Sequence, residues 1–225
     1  ARPRAPERGH AGAGARVSAL RARARRLTAV AVVLGLAGAS RVAHAGGDTS
    51  YGRVEGDLEL APGAGVTVAS YGVRPTLDLR ARYLSMAGVF VTYEDSLQRA
   101  ADPARQVATG VELRPLFVVR WLQGLESGSP TLDLLVDSFG LELGAFFAQP
   151  PAAGFGARMG VQASLGLELP LFAHAEGLFL TAHGGVRLSD RWVSEASFAG
   201  PERERAAFLT LGLAWHEIAF AGILR

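Results

Sequence analysis

Residues 76–84 read TLDLRARYL, and their apolar and charged side chains alternate one by one. In an extended chain the apolar Leu77, Leu79, Ala81 and Tyr83 fall on one side, and the charged Asp78, Arg80 and Arg82 fall on the other. Successive side chains of a β-strand point to opposite faces, so the segment predicts a strand with one apolar and one charged face. A helix with this spacing would scatter its charges around the whole circumference.

The same period of two returns along the chain from residue 46 onward. It is first seen at 53–60, RVEGDLEL, and it recurs at 88–95, 107–117, 139–147, 161–169, 178–188 and 209–215. Turn-forming residues separate these segments at Pro62-Gly63, Asp102-Pro103, 127–130, Pro150-Pro151 and 201–205. The pattern predicts an all-β domain over residues 46–225, in the form of a single closed antiparallel up-and-down barrel.

The segments give a count of eight or nine strands. Single-chain bacterial barrels have even numbers of strands, so eight are preferred and ten stay possible. Eight strands require residues 65–83 to form one long strand, kinked at Arg74-Pro75. The stretch 121–137 fits either a short helix that begins at Ser129-Pro130 or the start of a long strand. The loops 96–104, 149–156 and 189–205 then lie at the same end of the barrel.

Residues 20–45 have the three parts of a secretory signal peptide. Four Arg lie between residues 21 and 26, an apolar run follows at 27–39, and Ala43-His44-Ala45 is a small-x-small cleavage site. The run is shorter than the roughly 20 residues that a membrane-spanning helix needs. We therefore expect export and cleavage after Ala45. Residues 1–19 are read as a disordered extension ahead of the true start.

Charge and cysteine content exclude several kinds of partner and site. The formal net charge is +2, but 9 of the 23 Arg precede residue 46, which leaves 14 Arg against 20 acidic residues after it. A net negative mature chain is not expected to bind nucleic acid. The absence of cysteine excludes disulfides, thiolate metal sites and a cysteine nucleophile.

Alternation alone does not decide which face of the sheet points outward. A soluble barrel would turn its apolar face inward, whereas a membrane barrel turns it toward lipid. Three features favour the membrane: the signal peptide, the many glycines on the polar face, which suit a narrow lumen, and aromatic residues near segment ends. The expected interfacial aromatics are Tyr71, Tyr83, Tyr93, Trp121 and Trp215.

The chain resembles the small, eight-stranded outer-membrane β-barrel proteins of Gram-negative bacteria, in an uncharacterised subfamily. The resemblance is carried by the Ala43–Ala45 site, the alternating segments over 51–217 and the closing segment 210–220, TLGLAWHEIAF. It implies that the chain is located in the outer membrane, contacts membrane lipid and is inserted by the barrel-assembly machinery. The oligomeric state stays open.

The polar faces hold the candidate functional residues. Charges that leave water need partners, so a locked network of ion pairs in the lumen is favoured over an ion or solute path. An eight-stranded barrel has room for side chains or for one small ligand. The predicted lumen network consists of Glu55, Asp57, Glu59, Asp78, Arg80, Arg82, Glu112, Arg114, Glu142, Arg158, Glu168, His183, Arg187 and His216.

No catalytic or cofactor-binding motif stands out from these residues. His183 and His216 have no serine beside them in the sequence and no metal-ligand spacing, so we expect neither an enzyme nor a metal or cofactor site. The function predicted is an outer-membrane barrel with a structural or interaction role. The alternatives are a soluble periplasmic barrel that binds an apolar ligand, and a barrel enzyme or small pore.

Overall fold

The computed structural model describes residues 50–98, 100–190 and 205–222. Within them, eight antiparallel strands follow one another in chain order and close into a barrel, which confirms the predicted fold. The strands are β1 (Leu58–Ala69), β2 (Gly72–Tyr83), β3 (Ala87–Asp95), β4 (Arg105–Leu113), β5 (Gly140–Gln149), β6 (Arg158–Pro170), β7 (Gly177–Ser189) and β8 (Arg205–Ala219). The expected extension 1–19 and the signal peptide 20–45 lie outside the described residues.

The barrel closes where β1 pairs with β8. The register runs from Leu58 opposite Ala219 to Ala69 opposite Phe208, so the first strand is paired along both of its edges. The β1–β8 ladder is interrupted at Ala61 and Pro62 without a change of register. Proline has no N–H to donate, which accounts for the gap. Closure leaves no strand edge unpaired, as a sheet in hydrocarbon requires.

The strand order gives the barrel two distinct ends. The loop end carries the turn at 70–71 and the loops 96–104 and 150–157, and β7 ends and β8 begins there. The termini end carries residues 50–57, the turn at 84–86, the connection 114–139 and the turn at 171–176. The predicted loops 96–104 and 149–156 thus lie at one end, whereas most of the third, 189–205, lies outside the described residues.

Two short helices fill the connection between β4 and β5. They are α1 (Pro115–Gln123) and α2 (Pro130–Asp137). Each begins with proline, whose missing N–H costs nothing in a first turn, and α1 ends at Gly124 in the left-handed conformation. The helical reading of 121–137 is therefore the correct one, with α2 beginning after Ser129 as predicted.

None of the helices in the described ranges is long and apolar enough to cross a membrane.

Four details of the predicted strands are wrong. The segment 107–117 is not a strand to its end, because β4 ends at Leu113 and Pro115 begins α1. Residues 65–83 form two strands, because a turn at 70–71 precedes Gly72, whose φ of +113° suits only glycine. Pro62-Gly63 lies inside β1 and is not a turn. The alternation at 53–57 belongs to turns ahead of β1, which begins at Leu58.

The two faces of the sheet differ in chemistry as the alternation predicts. The outward side chains are apolar and exposed, and they include Leu79, Val89, Val111 and Leu143, of which Leu143 is 62% exposed. The inward side chains are charged, hydroxylic or small, and most are buried. Burying charges while exposing leucine and valine is the reverse of the arrangement in a water-soluble barrel.

Glycine makes the narrow interior possible where β4 faces β5. Gly110 lies directly opposite Gly144, and a Cβ atom on Gly110 would lie 2.2 Å from the backbone oxygen of Leu143. On the outer face there is more room, since a Cβ on Gly184 would lie 3.6 Å from its nearest neighbour. Glycine on the inner face therefore allows β4 and β5 to approach each other as closely as they do.

Replacing Gly110 by alanine is expected to destabilise the barrel by about 1–3 kcal/mol, because the new methyl group overlaps backbone atoms of β5. Gly184→Ala is the matched control, and it should leave stability unchanged or slightly raised. Urea unfolding of the refolded barrel in detergent measures both. Equal effects of the two substitutions would contradict the tight inner contact.

Candidate functional site: the charged lumen

Arg82 lies at the centre of the charged lumen and contacts three carboxylates from three other strands. Its Nη1 donates to Glu59 Oε1 at 2.5 Å, its Nε to Glu112 Oε2 at 3.1 Å, and its Nη2 to Glu168 Oε1 at 2.6 Å. The guanidinium is completely buried. One planar group thus ties β2 to β1, β4 and β6 across the lumen.

Two further arginines extend this central network. Arg114, just after β4, donates to Glu112 Oε1 at 3.1 Å and is bonded to Glu168. Arg80 donates to Glu112 Oε2 at 2.8 Å and to Glu142 Oε1 at 2.6 Å. Glu112 and Glu142 lie directly opposite each other on β4 and β5, where like charges repel. Arg80 lies between them and compensates that repulsion.

Both lumen histidines belong to the same network. His183 Nδ1 lies 2.8 Å from Glu142 Oε1, and His216 Nδ1 lies 3.0 Å from Glu59 Oε1. The His216 ring also stacks on Phe179, with 4.0 Å between ring centroids. Each histidine is therefore held by a glutamate, and the pair does not form a shared site.

The arrangement around Glu142 contains the residue types of a hydrolase but not their order. Ser164 Oγ donates to Glu142 Oε2 at 2.7 Å, while His183 contacts the other oxygen of the same carboxylate. A serine nucleophile needs its hydroxyl on the histidine, with the acid behind the histidine. Here the acid lies between serine and histidine, so it does not set up proton transfer from Ser164. The sequence did not indicate this contact, because it depends on the β5–β6 register.

Glu59, Glu168 and His216 form the one group of metal-ligand type found in the described part of the chain, with ligand atoms within 4.8 Å of one another. The same carboxylates accept hydrogen bonds from Arg82 and are also contacted by Arg114. A metal ion would have to displace both guanidinium groups from their carboxylates. The donor set is already neutralised by arginine and does not fit a metal.

A second polar cluster lies nearer the loop end. Arg187 Nη2 donates to Glu94 Oε1 at 2.6 Å, its Nε donates to Gln162 Oε1 at 2.7 Å, and its Nη1 is bonded to the hydroxyl of Tyr71. The Tyr71 hydroxyl lies 3.3 Å from Glu94 Oε2. Arg187 and Glu94 thus form a loop-end ion pair whose partners come from β3 and β7.

A third cluster closes the termini end and was missed by the sequence analysis. Arg53 donates to Asp137 Oδ2 at 2.5 Å and to the backbone oxygen of Leu134 at 2.9 Å, so residues before β1 are tied to α2. Arg120 of α1 donates to Asp137 Oδ1 at 2.8 Å and to Asp133 Oδ1 at 2.5 Å. The spacing of Asp133 and Asp137, one helical turn apart, was the available signal.

Asp133 collects more donors than any other carboxylate of this cluster. It accepts from the backbone N–H of Ser127 and Gly128, from the Tyr51 hydroxyl at 2.8 Å and from Arg120. Burial by itself raises the pKa of Asp133, but the hydrogen bonds from Ser127, Tyr51 and Arg120 outweigh it and lower the pKa to about 2. Burial raises the pKa of Tyr51, and the hydrogen bond to Asp133 raises it further.

Most of the predicted lumen residues lie inside the barrel, and two do not. Glu55 is exposed, because it belongs to the turns ahead of β1 and not to a strand. Arg158 lies at the loop-end rim, where it donates to Asp102 at 2.9 Å. The residues that the structure brings together in the central network are Glu59, Asp78, Arg80, Arg82, Glu112, Arg114, Glu142, Glu168, His183 and His216, with Arg187 in the loop-end cluster and Asp57 buried at the termini end.

Not all five predicted interfacial aromatics face outward. Tyr71 does not belong to the outer face, because its hydroxyl turns inward to Arg187 and Glu94. Tyr83 and Tyr93 face outward, one at each end of the barrel, and Trp215 faces outward near the end of β8. Trp121 is on α1 and is 41% exposed.

The fold and the lumen define a class: a small, closed eight-stranded barrel with an apolar exterior and a charged, filled interior. The chain thus resembles small outer-membrane barrels of Gram-negative bacteria. Two solved structures of Ail, the attachment invasion locus protein of Yersinia pestis, align with it at 10% identity. The first covers 72% of this chain and 99% of Ail with a TM-score of 0.36. The second, in complex with the heparin analogue sucrose octasulfate, covers 71% and 96% with a TM-score of 0.32. No family model and no curated protein match the chain.

Replacing Arg82 by methionine is expected to destabilise the barrel by about 3–5 kcal/mol, because three buried carboxylates lose a shared partner. Arg105→Met is the matched control. Arg105 is 45% exposed in its side chain and lies 3.5 Å from Asp95, so its loss should cost less than about 1 kcal/mol. Urea unfolding in detergent compares the two variants. A small, equal loss in both would show that the lumen carboxylates do not depend on Arg82.

Replacing Asp133 by asparagine is expected to lower stability by about 1.5–3 kcal/mol near neutral pH, since hydrogen bonds to a charged acceptor are lost. The lowered pKa of Asp133 means that its ionised form stabilises the fold above its ordinary pKa of 3.8, and that this contribution disappears as the pH falls toward 2. The difference in unfolding midpoint between the wild type and Asp133→Asn should therefore shrink between about pH 4 and pH 2. A difference that stays constant with pH would contradict this assignment.

Proposed function

We propose that the mature chain is a non-enzymatic barrel of the Gram-negative outer membrane, with a closed lumen and a structural or interaction role. The observation that carries the proposal is the reversed distribution of side chains, with carboxylates and guanidinium groups inside and leucine and valine outside. Such an exterior is stable only against an apolar phase, and a bilayer supplies one all around a closed sheet.

The ion pairs inside the lumen support the proposal that the barrel is closed to solutes. Arg80, Arg82 and Arg114 link carboxylates from opposite walls, and their side chains are at most 4% exposed. At the termini end, Ser138 after α2 bonds the backbone of Glu168 in both directions, at 2.8 and 2.9 Å, so the helical connection is attached beneath the barrel. A conducting path would have to break several buried ion pairs at once, which is unfavourable.

The interaction role is assigned to the loop end. This end carries 96–104 and 150–157, and loops that a rigid sheet holds in place are where binding residues concentrate. The alternative of a soluble periplasmic barrel with an apolar ligand inside is less well supported, because most of the buried inward side chains in the described ranges are charged or hydroxylic. Insertion is assigned to the barrel-assembly machinery of the host.

In a Gram-negative host, the full chain is expected to stay with the outer membrane after a high-salt wash and to change gel mobility on boiling. Leu143→Arg should reduce insertion, because a charge on the lipid face costs about 2–4 kcal/mol at the bilayer midplane. Leu97→Arg is the matched control, since Leu97 lies in a loop and is 70% exposed. The reconstituted wild type should show no stepwise current across a planar bilayer.

Three outcomes would contradict the proposal. Release into buffer without detergent would favour the soluble barrel. Equal insertion of Leu143→Arg and Leu97→Arg would remove the lipid-facing assignment of β5. Steady conductance by the reconstituted wild type would favour the pore.

A further inference from the structure

Helix α1 presents an apolar face on the surface of the protein. Leu116, Val119 and Leu122 are spaced three residues apart, so they lie on one side of the helix. All three are exposed, and Leu122 is 73% exposed. The opposite side packs inward through Phe117, which is buried and whose ring centroid lies 4.8 Å from Arg53 Cζ. A helix whose outer side meets water normally turns polar residues outward, and α1 does the reverse.

The exposed face of α1 carries no charge. Residues 113–125 contain two charged side chains, Arg114 and Arg120. Arg114 belongs to the central lumen network. Arg120 donates to Asp133 Oδ1 at 2.5 Å and to Asp137 Oδ1 at 2.8 Å. Both positive charges are therefore neutralised by acidic residues of the same chain, which leaves α1 without a charge that could attract a partner.

The apolar face of α1 begins where the apolar exterior of the barrel ends. Leu113 is the last residue of β4 and is exposed on the outer face, as is Leu141, which lies opposite it on β5. Pro115 begins α1 only two residues later, a step of at most about 7 Å along an extended chain. Because Arg114 turns into the lumen, no outward charge separates the strand surface from the helix.

Further large apolar side chains are exposed at the same end of the barrel. Phe172 lies in the turn 171–176 and is 59% exposed, and Phe220 follows β8 and is 70% exposed. Leu125 and Leu132, in the connection that holds α1 and α2, are exposed as well. Exposed apolar patches mark interaction sites, and aromatic side chains are enriched where hydrocarbon meets water.

A lipid surface fits this face better than another protein does. At nine residues, α1 is about 14 Å long, far short of a hydrocarbon core of roughly 30 Å, so it can lie in a membrane surface but not cross it. In the proposed function, lipid already surrounds the outer face of β4, and α1 begins beside it. A protein partner would have to enter between α1 and that lipid.

We propose that α1 is an in-plane lipid-binding helix, which places Leu116, Val119 and Leu122 among the acyl chains of the leaflet at the termini end. The inference rests on the proposed function, since lipid must surround the strands. It adds a second membrane contact that fixes the depth of the termini end. Amphipathic membrane helices are commonly basic and favour anionic lipids, whereas the paired arginines of α1 make its binding independent of headgroup charge.

A fluorophore on single cysteines tests the lipid contact, and the chain has no other cysteine to label. Leu122→Cys and Leu143→Cys would each carry nitrobenzoxadiazole in the full chain, refolded into phosphatidylcholine vesicles. The probe at residue 122 should be quenched by a lipid nitroxide near the headgroup and protected from dissolved cobalt ions. The probe at residue 143 should be quenched by a nitroxide deeper in the acyl chain.

The two probes separate this inference from the proposed function. A probe in lipid at residue 143 and in water at residue 122 would overturn the role of α1 alone. Both probes in water would contradict the membrane assignment itself. Disulfide-linked dimers of unlabelled Leu122→Cys on oxidation in the vesicles would assign the face to a second copy of the chain and also overturn the proposal.

The lipid composition tests the uncharged character of the contact. Quenching at residue 122 should be the same with and without phosphatidylglycerol in the vesicles, and the same at low and high salt. A contact that appears only with phosphatidylglycerol, or that is lost in high salt, would contradict binding through the apolar face.

Hydrogen exchange of the α1 amides in vesicles measures how firmly the helix is held. In Leu122→Glu they should exchange about tenfold to hundredfold faster than in the wild type, because a charge replaces a leucine that lies in lipid. Thr131→Glu is the matched control, since it adds the same charge at an exposed position of α2 and should leave α1 unchanged. Equal exchange in both variants would overturn the proposal. Gel mobility before and after boiling verifies closure, and the labelled Leu122→Cys chain decides the question if Leu122→Glu does not close.

Discussion

Charged side chains inside a narrow closed sheet must find partners there, and this requirement governs the rest of the molecule. The register of β4 and β5 places Glu112 directly opposite Glu142, a repulsive pair that neither strand can relieve alone. Arg80 from β2 reaches across to both carboxylates, and Arg82 from the same strand contacts carboxylates of β1, β4 and β6. The polar face can therefore point inward only if the barrel is closed and in this register, which leaves the apolar face to the surroundings.

The fold could largely be predicted from local sequence, because a strand with two chemically different faces repeats every second residue. Alternation around Leu79 and Leu143 gave the faces of β2 and β5, and Ser129-Pro130 gave the start of α2. Turns were harder to predict from the sequence. The break at 70–71 was missed although the apolar positions change there from even numbers, Val66 and Val68, to odd numbers, Leu77 and Leu79. Pro62-Gly63 looked like a turn but is held in β1 by pairing with β2.

The site was predictable as a set of residues but not as a set of contacts. Which carboxylate meets Arg82 depends on the register of strands that are far apart in sequence, and alternation carries no such information. Glu55 was misplaced because it shares the alternation of β1 but precedes the strand. The contact of Arg53 with Asp137 arises from long-range packing, and so it emerged only with the structure.

The central claim is that alternate side chains face lipid and an enclosed lumen. The chain contains no cysteine, so single cysteines along β5 can carry a nitroxide without background labelling. Residues 141–147 would be scanned in vesicles for spin relaxation by oxygen, which concentrates in lipid, and by a water-soluble nickel chelate. The account predicts oxygen access at Leu141, Leu143, Ala145 and Phe147 and little access to either agent between them. Nickel access at those four positions would contradict it.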